Sequence, residues 1–249
     1  MSKWVIKIDL RSSSDWITAG SAYLVSKAKA LEIIDALGPD KFELVEFEGT
    51  DTLNYYSSYN IPKDDFWVIR SIDNPEVNFY LLRFNSDICF CTWNFDTNKY
   101  VMTTAYASRA VYSYLYIRKA SDDTIMFHSQ NNGNGGIIIT TGIDQDGNVK
   151  RYALGNTSSS TLYYYCYDTK LYNSCGIVAG RYDPLYADFL GLQKITIPEW
   201  GIIFDEAFFV THAPFYFSNL IEMDGVHYAT SAGYASGTSL FQMAIKFPD

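Results

Sequence analysis

The chain has 249 residues, of which 48% are hydrophobic and 19% charged, and its formal net charge is −9. This composition is typical of a globular chain long enough to bury a sizeable core, not of a disordered one. The acid excess and the lack of basic runs disfavour nucleic-acid binding, because that affinity comes mostly from Lys and Arg at phosphates. The aromatic share is high, at 17%, and includes 21 Tyr.

Two kinds of hydrophobic period occur near the N-terminus. Residues 4–8 and 41–47 have strand character. Between them, from Ser21 to Leu37, apolar residues recur every three or four positions, which predicts an amphipathic helix over 21–37. Ser21 is the predicted N-cap, and Gly38-Pro39 is a strong stop signal because proline cannot continue a helix.

Beyond residue 60, short apolar runs alternate with turn residues at steps of about ten residues, a pattern typical of an all-β sandwich or barrel. Asp224-Gly225 predicts a hairpin turn, because both central residues of a type I′ turn need positive φ. The predicted strands are 66–72, 77–85, 87–95, 99–107, 110–119, 123–129, 136–143, 148–154, 160–168, 194–197, 201–204, 207–210 and 240–247, and the predicted hairpin spans 220–228.

These patterns together predict a mainly β protein, an antiparallel β-sandwich or barrel-like domain with one N-terminal amphipathic helix. We expect a main domain over 61–249 and a small α+β segment over 1–60, packed on it. The predicted boundary lies at 60–65, where a polar loop ends at Pro62.

Tyrosines are the predicted contact residues, because a phenol is largely apolar and keeps one polar end. In two runs they occupy every second position and therefore share one face of a strand. In Tyr163-Tyr164-Tyr165 they occupy both faces, so one face is expected to meet a second sheet, another subunit or a sugar ring. A third group lies in a Ser/Asn-rich loop. The candidates are Tyr55, Tyr56, Tyr59, Tyr112, Tyr114, Tyr116, Tyr163 and Tyr165.

The sequence predicts no metal site, cofactor or catalytic residue. The three His are scattered without ligand spacing, and no nucleophile motif is present. Asp205/Glu206 is the acidic pair most worth inspecting for glycoside hydrolysis, because its surroundings are apolar. Cys166 and Cys175 flank a predicted turn around Lys170 and Leu171, and the sequence leaves open whether they form a disulfide.

The N-terminal residues carry charges and lack the apolar region of a signal peptide, and no stretch approaches the ~18 apolar residues of a membrane span. We therefore expect a chain made in the cytoplasm, without a signal peptide and without a membrane span.

The C-terminal residues Glu222–Tyr228, followed by a Ser/Gly loop and the apolar Phe241–Ile245, resemble endings of tailed-bacteriophage virion proteins. The many short Tyr/Asn/Ser/Gly-rich strands are similar in style to collar, tail, baseplate and decoration components. The resemblance implies a structural subunit located in the virion, with other virion proteins and itself as partners in a homo-oligomer. It implies no catalytic residue.

Two alternatives remain open. The first is a carbohydrate-binding β-sandwich module, in which Tyr and Trp faces stack on a surface glycan. The second is a glycan-active hydrolase with acids that the sequence does not reveal.

Overall fold

The computed structural model describes residues 5–19, 22–46, 67–84, 87–96, 99–107, 114–129, 136–158, 161–176, 191–211, 220–231, 234–236 and 239–247. The structure is mainly β, with 65% of residues in strands that form curled antiparallel sheets shaped as half-barrels. This confirms the predicted fold class in its main feature, and every described strand pair is antiparallel.

The described elements, in chain order, are β1 (Val5–Asp9), β2 (Trp16–Ala19), β3 (Ala22–Val25), α1 (Lys27–Leu37), β4 (Phe42–Glu46), β5 (Trp67–Ser71), β6 (Asn78–Phe84), β7 (Asp87–Asn94), β8 (Lys99–Ala107), β9 (Tyr114–Lys119), β10 (Ile125–Ser129), β11 (Ile137–Ile143), β12 (Val149–Ser158), β13 (Thr161–Cys166), β14 (Leu171–Gly176), β15 (Gly191–Ile197), β16 (Ile202–Thr211), β17 (Leu220–Met223), β18 (Val226–Thr230), β19 (Tyr234–Ser236) and β20 (Ser239–Lys246). Short 3₁₀ turns cover Ser13–Asp15 and Pro198–Trp200.

The helix begins later than predicted. Its N-cap is Ser26, whose hydroxyl accepts a hydrogen bond from the backbone N–H of Lys29 at 3.3 Å. Residues 22–25, predicted as the first helical turn, form β3 instead, because they pair with β2 on one edge and β6 on the other. Leu24 is therefore a strand residue. The predicted stop is confirmed, since the helix ends at Leu37 and Gly38 has a φ of 115°.

A seven-stranded sheet has the order β2-β3-β6-β5-β4, with β7 on the other edge of β6 and β8 beyond β7. A thirteen-stranded sheet follows the path β1-β9-β10-β11-β16-β20-β18-β17. It branches at β11: one edge of this strand pairs with β10 and then β16, and the other pairs with β12, which leads to β13 and β14.

The first hydrophobic core fills the space between the two sheets. The small sheet contributes alternate residues such as Phe79 and Phe90, whose rings stack at 4.7 Å, and the large sheet contributes Phe127 at 4.9 Å from Phe79. Helix α1 adds the buried side chains of Ile33 and Leu37 to the same core. The two sheets are thus the layers of a sandwich that the helix extends.

A second core lies on the opposite face of the large sheet. On β11, Ile137 and Ile139 face the first core, whereas Ile138 faces the second. The second core continues through Phe204 on β16 and Ile245 on β20. Because strands such as β11 are covered on both faces, their sequences read as continuous apolar runs.

A buried hydrogen-bond network joins the two sheets. The Tyr167 hydroxyl donates to the backbone carbonyl of Asn78 at 3.2 Å and lies 3.4 Å from the Thr92 hydroxyl. The Asn78 amide donates to the Trp93 carbonyl and accepts from the Trp93 N–H, at 2.9 and 2.8 Å. Tyr167 and Asn78 are almost fully buried, so the network satisfies polar groups that water cannot reach.

The predicted domain boundary at 60–65 lies outside the described residues. On its N-terminal side, β1 pairs with β9, β3 with β6 and β4 with β5. The described strands before residue 60 are therefore part of both sheets.

The C-terminal hairpin follows the predicted turn. Asp224 and Gly225 have φ of 52° and 74°, as a type I′ turn requires, and they connect β17 to β18.

Candidate contact surface

The β13–β14 hairpin carries the triple-tyrosine segment at a place where both faces of the sheet are covered. Leu162, Tyr164 and Cys166 face the second core, whereas Tyr165 and Tyr167 face the first. Tyr164 and Tyr165 are 0% and 1% exposed. The second face that the sequence left unassigned therefore meets another layer of the same chain, and Tyr165 offers no surface to a partner.

Tyr163 lies on the same face of β13 as Tyr165 but is less buried. Its ring is half-buried and stacks on that of Tyr172, with centroids 6.2 Å apart and an interplanar angle of 11°. Tyr172 is 37% exposed. The two rings form a tyrosine pair at the surface, and sequence reasoning found only one of its members.

Strand β14 is unusually exposed and carries no charge. Leu171 is 39% exposed, and Asn173 and Ser174 are exposed as well. The nearest charged residue before the strand, Lys170, forms an ion pair with Glu76, which lies in the turn between β5 and β6. In a chain of net charge −9, an uncharged strand with exposed aromatic and aliphatic side chains adds no like charge to a contact between acidic copies.

A pocket of about 190 Å³ lies beside this hairpin, between β14 and β15. From the hairpin it is lined by Leu162, Cys175 and Gly176, and from β15 and β16 by Gln193, Thr196 and Phe209. Leu162, Cys175 and Phe209 belong to the second core, so the pocket is an opening into that core.

The pocket thiol has little nucleophilic character. Burial, and next the nearby Glu199 carboxylate, raise the pKa of Cys175, which keeps the sulfur protonated at neutral pH. Cys175 lies opposite Leu162 in the hairpin and Cys166 lies opposite Leu171, so the two cysteines are not cross-strand partners. Both are free thiols, which answers the question of a disulfide.

Tyr114 and Tyr116 lie on β9, separated from β13 by β10, β11 and β12. The Tyr114 ring has the Lys7 ammonium 3.4 Å and the Arg11 guanidinium 4.6 Å from its centroid. Tyr116 stacks on His128 at 5.2 Å. Both tyrosines are half-buried. Because three strands separate β9 from β13, the two tyrosines do not form one surface with Tyr163.

On the inner part of the same β9 face, the Arg118 guanidinium donates through Nε to His128 Nε2 at 2.9 Å. Both side chains are buried, and burial lowers the pKa of Arg118.

The remaining predicted contact residues, Tyr55, Tyr56, Tyr59 and Tyr112, lie outside the described residues.

The acidic pair Asp205/Glu206 is split between two partners. Asp205 is exposed and accepts a hydrogen bond from the Lys194 ammonium of β15 at 2.5 Å. Glu206 accepts one from the buried Thr124 hydroxyl, just before β10, at 2.5 Å. The pair is therefore not aimed at a common substrate position, as a glycosidase would require.

The described residues contain no group of three or more His, Cys, Asp and Glu side chains arranged to hold a metal ion. Within the same ranges, no helix has the length and hydrophobicity needed to cross a bilayer.

Comparison with family models, with curated proteins and with solved structures finds no match for this chain.

Sequence reasoning missed β14, because it placed the turn at Lys170 and Leu171. The available signal was the run Leu171–Gly176, which follows a turn residue, contains no charge and mirrors the length of β13.

Proposed function

We propose that this chain is a structural and interaction subunit of a multi-subunit particle, of the kind found in phage virions, and that it has no catalytic role. Its contacts are made by the hairpin surface, which we define as the exposed part of β13–β14 with Tyr163, Leu171, Tyr172, Asn173 and Ser174. The phage context comes from the sequence resemblance. The assembly role is supported by the structure of this surface.

One observation carries the proposal: the hairpin surface combines a tyrosine pair with an exposed, uncharged strand. Aromatic side chains are enriched in the centres of protein interfaces, and charged residues are depleted there. Tyrosine also supplies a large contact area with few rotatable bonds, so little side-chain entropy is lost on binding. Both features suit a static contact between copies of this chain or with other particle proteins.

The experiment is sedimentation velocity of the purified full chain over the widest accessible concentration range. We expect the average mass to rise with concentration. Leu171→Asp places a charge at the start of β14, within the hairpin surface, and should shift the chain to the monomer. The matched control is Leu220→Asp on β17, which replaces a more exposed leucine, 55% against 39%, outside the hairpin surface.

Self-association through this surface is contradicted if wild type stays monomeric throughout, or if both variants weaken association equally. If wild type stays monomeric, the remaining assembly partner is another particle protein. Immobilised wild type should then capture purified virion components, and immobilised Leu171→Asp should not. Failure of both measurements refutes the proposed function.

Carbohydrate binding is the second candidate, and the tyrosine pair favours it specifically. The exposed Tyr172 ring, with Ser174 on the same face of β14, supplies a stacking face and hydroxyl groups that can hydrogen-bond a sugar. On a glycan array, this function requires hits that Tyr172→Ala abolishes. An array without hits, at a concentration where the chain self-associates, excludes it in favour of the assembly role.

A further inference from the structure

A buried arginine–histidine pair joins two neighbouring strands of the large sheet. Arg118 on β9 and His128 on β10 are 6% and 1% exposed. The Arg118 guanidinium donates through Nε to His128 Nε2 at 2.9 Å. A guanidinium only donates hydrogen bonds, so the nitrogen that accepts this one carries no proton. The contact therefore requires the neutral form of the imidazole.

Close packing holds the imidazole beside the guanidinium. The Tyr116 ring stacks on that of His128, with centroids 5.2 Å apart and an interplanar angle of 6°. At Gly136, just before β11, a Cβ would lie 3.3 Å from His128 Cβ and 3.2 Å from Ser231 Cβ, which follows β18. Turning the ring away from Arg118 therefore requires these neighbours to move.

Lys7 adds a second cation to the same face of the sheet. Lys7 lies opposite Tyr116, and Tyr116 lies opposite His128, so the three side chains form one row across β1, β9 and β10. The Lys7 ammonium is 3.4 Å from the ring centroid of Tyr114. The charges of Lys7 and Arg118 both disfavour the binding of a proton by the imidazole.

Two carboxylates on this side of the sheet have other partners. Both oxygens of Asp9 accept hydrogen bonds from the Arg11 guanidinium. Glu206 accepts one from the Thr124 hydroxyl, and Thr124 lies four residues before the histidine, about 13 Å along an extended chain. Neither carboxylate is placed to offset a proton on the imidazole.

We propose that Arg118 and His128 form an acid-sensitive switch that loosens the large sheet at low pH. Arginine stays charged at every physiological pH, so a proton on His128 breaks the hydrogen bond and puts two cations in contact in the interior. In the unfolded chain, a histidine binds a proton below about pH 6.5. The stability from this pair is therefore complete above about pH 6.5 and is lost as the pH falls below that value.

Urea unfolding of wild type and His128→Gln at pH 8 and pH 5 tests the switch. A proton that the folded state excludes lowers the folding equilibrium constant about tenfold per pH unit below about pH 6.5. Glutamine keeps an acceptor for Arg118 and does not titrate. We therefore expect the constant to fall at least about tenfold less in the variant than in wild type. Groups common to both proteins cancel in this comparison, and an equal fall in both overturns the proposal.

Two further variants test the cause. His227→Gln is the matched control on β18: this histidine is exposed, and its Nε2 lies 3.7 Å from a Glu222 carboxylate oxygen, so a proton there strengthens an ion pair. This variant should keep the acid sensitivity of wild type, and loss of that sensitivity overturns the role of His128. Arg118→Met removes the buried charge and should reduce the acid sensitivity. A fall as large as that of wild type overturns the role of Arg118.

NMR of the wild-type chain with ¹⁵N-labelled histidine keeps the proposal testable if His128→Gln does not fold. Elimination with His227→Gln and His212→Gln identifies the His128 imidazole signals. In the folded chain these signals should remain those of the neutral ring down to about pH 5.5, a full pH unit below ordinary histidine protonation. Protonation with a midpoint above about pH 5.5 overturns the proposal, because the folded state would then not exclude the proton.

Discussion

Replacing Tyr165 and Tyr163 by alanine, one at a time, tests whether the hairpin divides its tyrosines between core and surface. The two residues share one face of β13, and the sequence pattern treats them alike. In the structure, Tyr165 is 1% exposed and its ring meets the Tyr167 ring edge-on at 5.2 Å. Tyr163 is half-buried and stacks on the exposed Tyr172.

The burial difference sets the expected magnitudes. Removing a fully buried aromatic side chain lowers the free energy of unfolding by about 3–5 kcal/mol. This loss combines the transfer free energy of the removed atoms with the cost of the cavity that they leave behind. Tyr165→Ala should therefore cost a large part of a typical folding free energy of about 5–15 kcal/mol. Tyr163→Ala loses one stacking contact and a partly buried ring, so we expect its free energy of unfolding to fall by about 1 kcal/mol.

Urea unfolding followed by circular dichroism measures both costs, with the slope of free energy against urea checked for constancy. Sedimentation of Tyr163→Ala provides the complementary readout, since this variant should stay folded and associate less. Equal destabilisation by the two variants would refute the assignment of Tyr165 to the core and Tyr163 to the surface.

Three further predictions use the same urea assay. Tyr167→Phe removes the hydrogen bond to the Asn78 carbonyl between the sheets and should cost about 1 kcal/mol, so an unchanged midpoint would contradict that link. Gly142→Ala puts a Cβ 2.7 Å from Phe204 Cε1 and should cost about 1–3 kcal/mol through overpacking; a neutral result would show that the ring has room to move. Burial raises the pKa of Tyr165 from 10.0 to about 12, so its contribution is complete below pH 10 and is lost as the pH rises towards 12. Tyr165 should account for about 1.4 kcal/mol of the loss at pH 11. Burial also raises the pKa of Tyr152, Tyr164 and Tyr167, so the total loss should be smaller by that amount in Tyr165→Phe, and equal losses in both proteins would contradict the prediction.

Most strands could be predicted because short apolar runs and turn residues act locally. The Asp224-Gly225 hairpin is the clearest case, since its turn type depends on two adjacent residues. The start of α1 could not be placed, because Ala22–Val25 is compatible with a helical period. Its pairing with β2 and β6 decides in favour of a strand, and β6 lies far along the chain.

The candidate surface was only partly visible in the sequence. Alternation identified Tyr163 and Tyr165 as strand residues, but their burial depends on how far the small sheet extends over β13. A half-covered strand therefore contains one core tyrosine and one surface tyrosine with the same local pattern. Tyr172 and the pocket depend on the approach of β14 and β15, which no local pattern encodes.

Hydrogen exchange of the full chain at low and high protein concentration tests the central claim most directly. If the hairpin surface is the assembly contact, peptides covering Leu171–Gly176 should exchange more slowly at high concentration, while peptides covering Leu220–Met223 should not change. Concentration-dependent protection confined to other strands, with none in β14, would contradict the account.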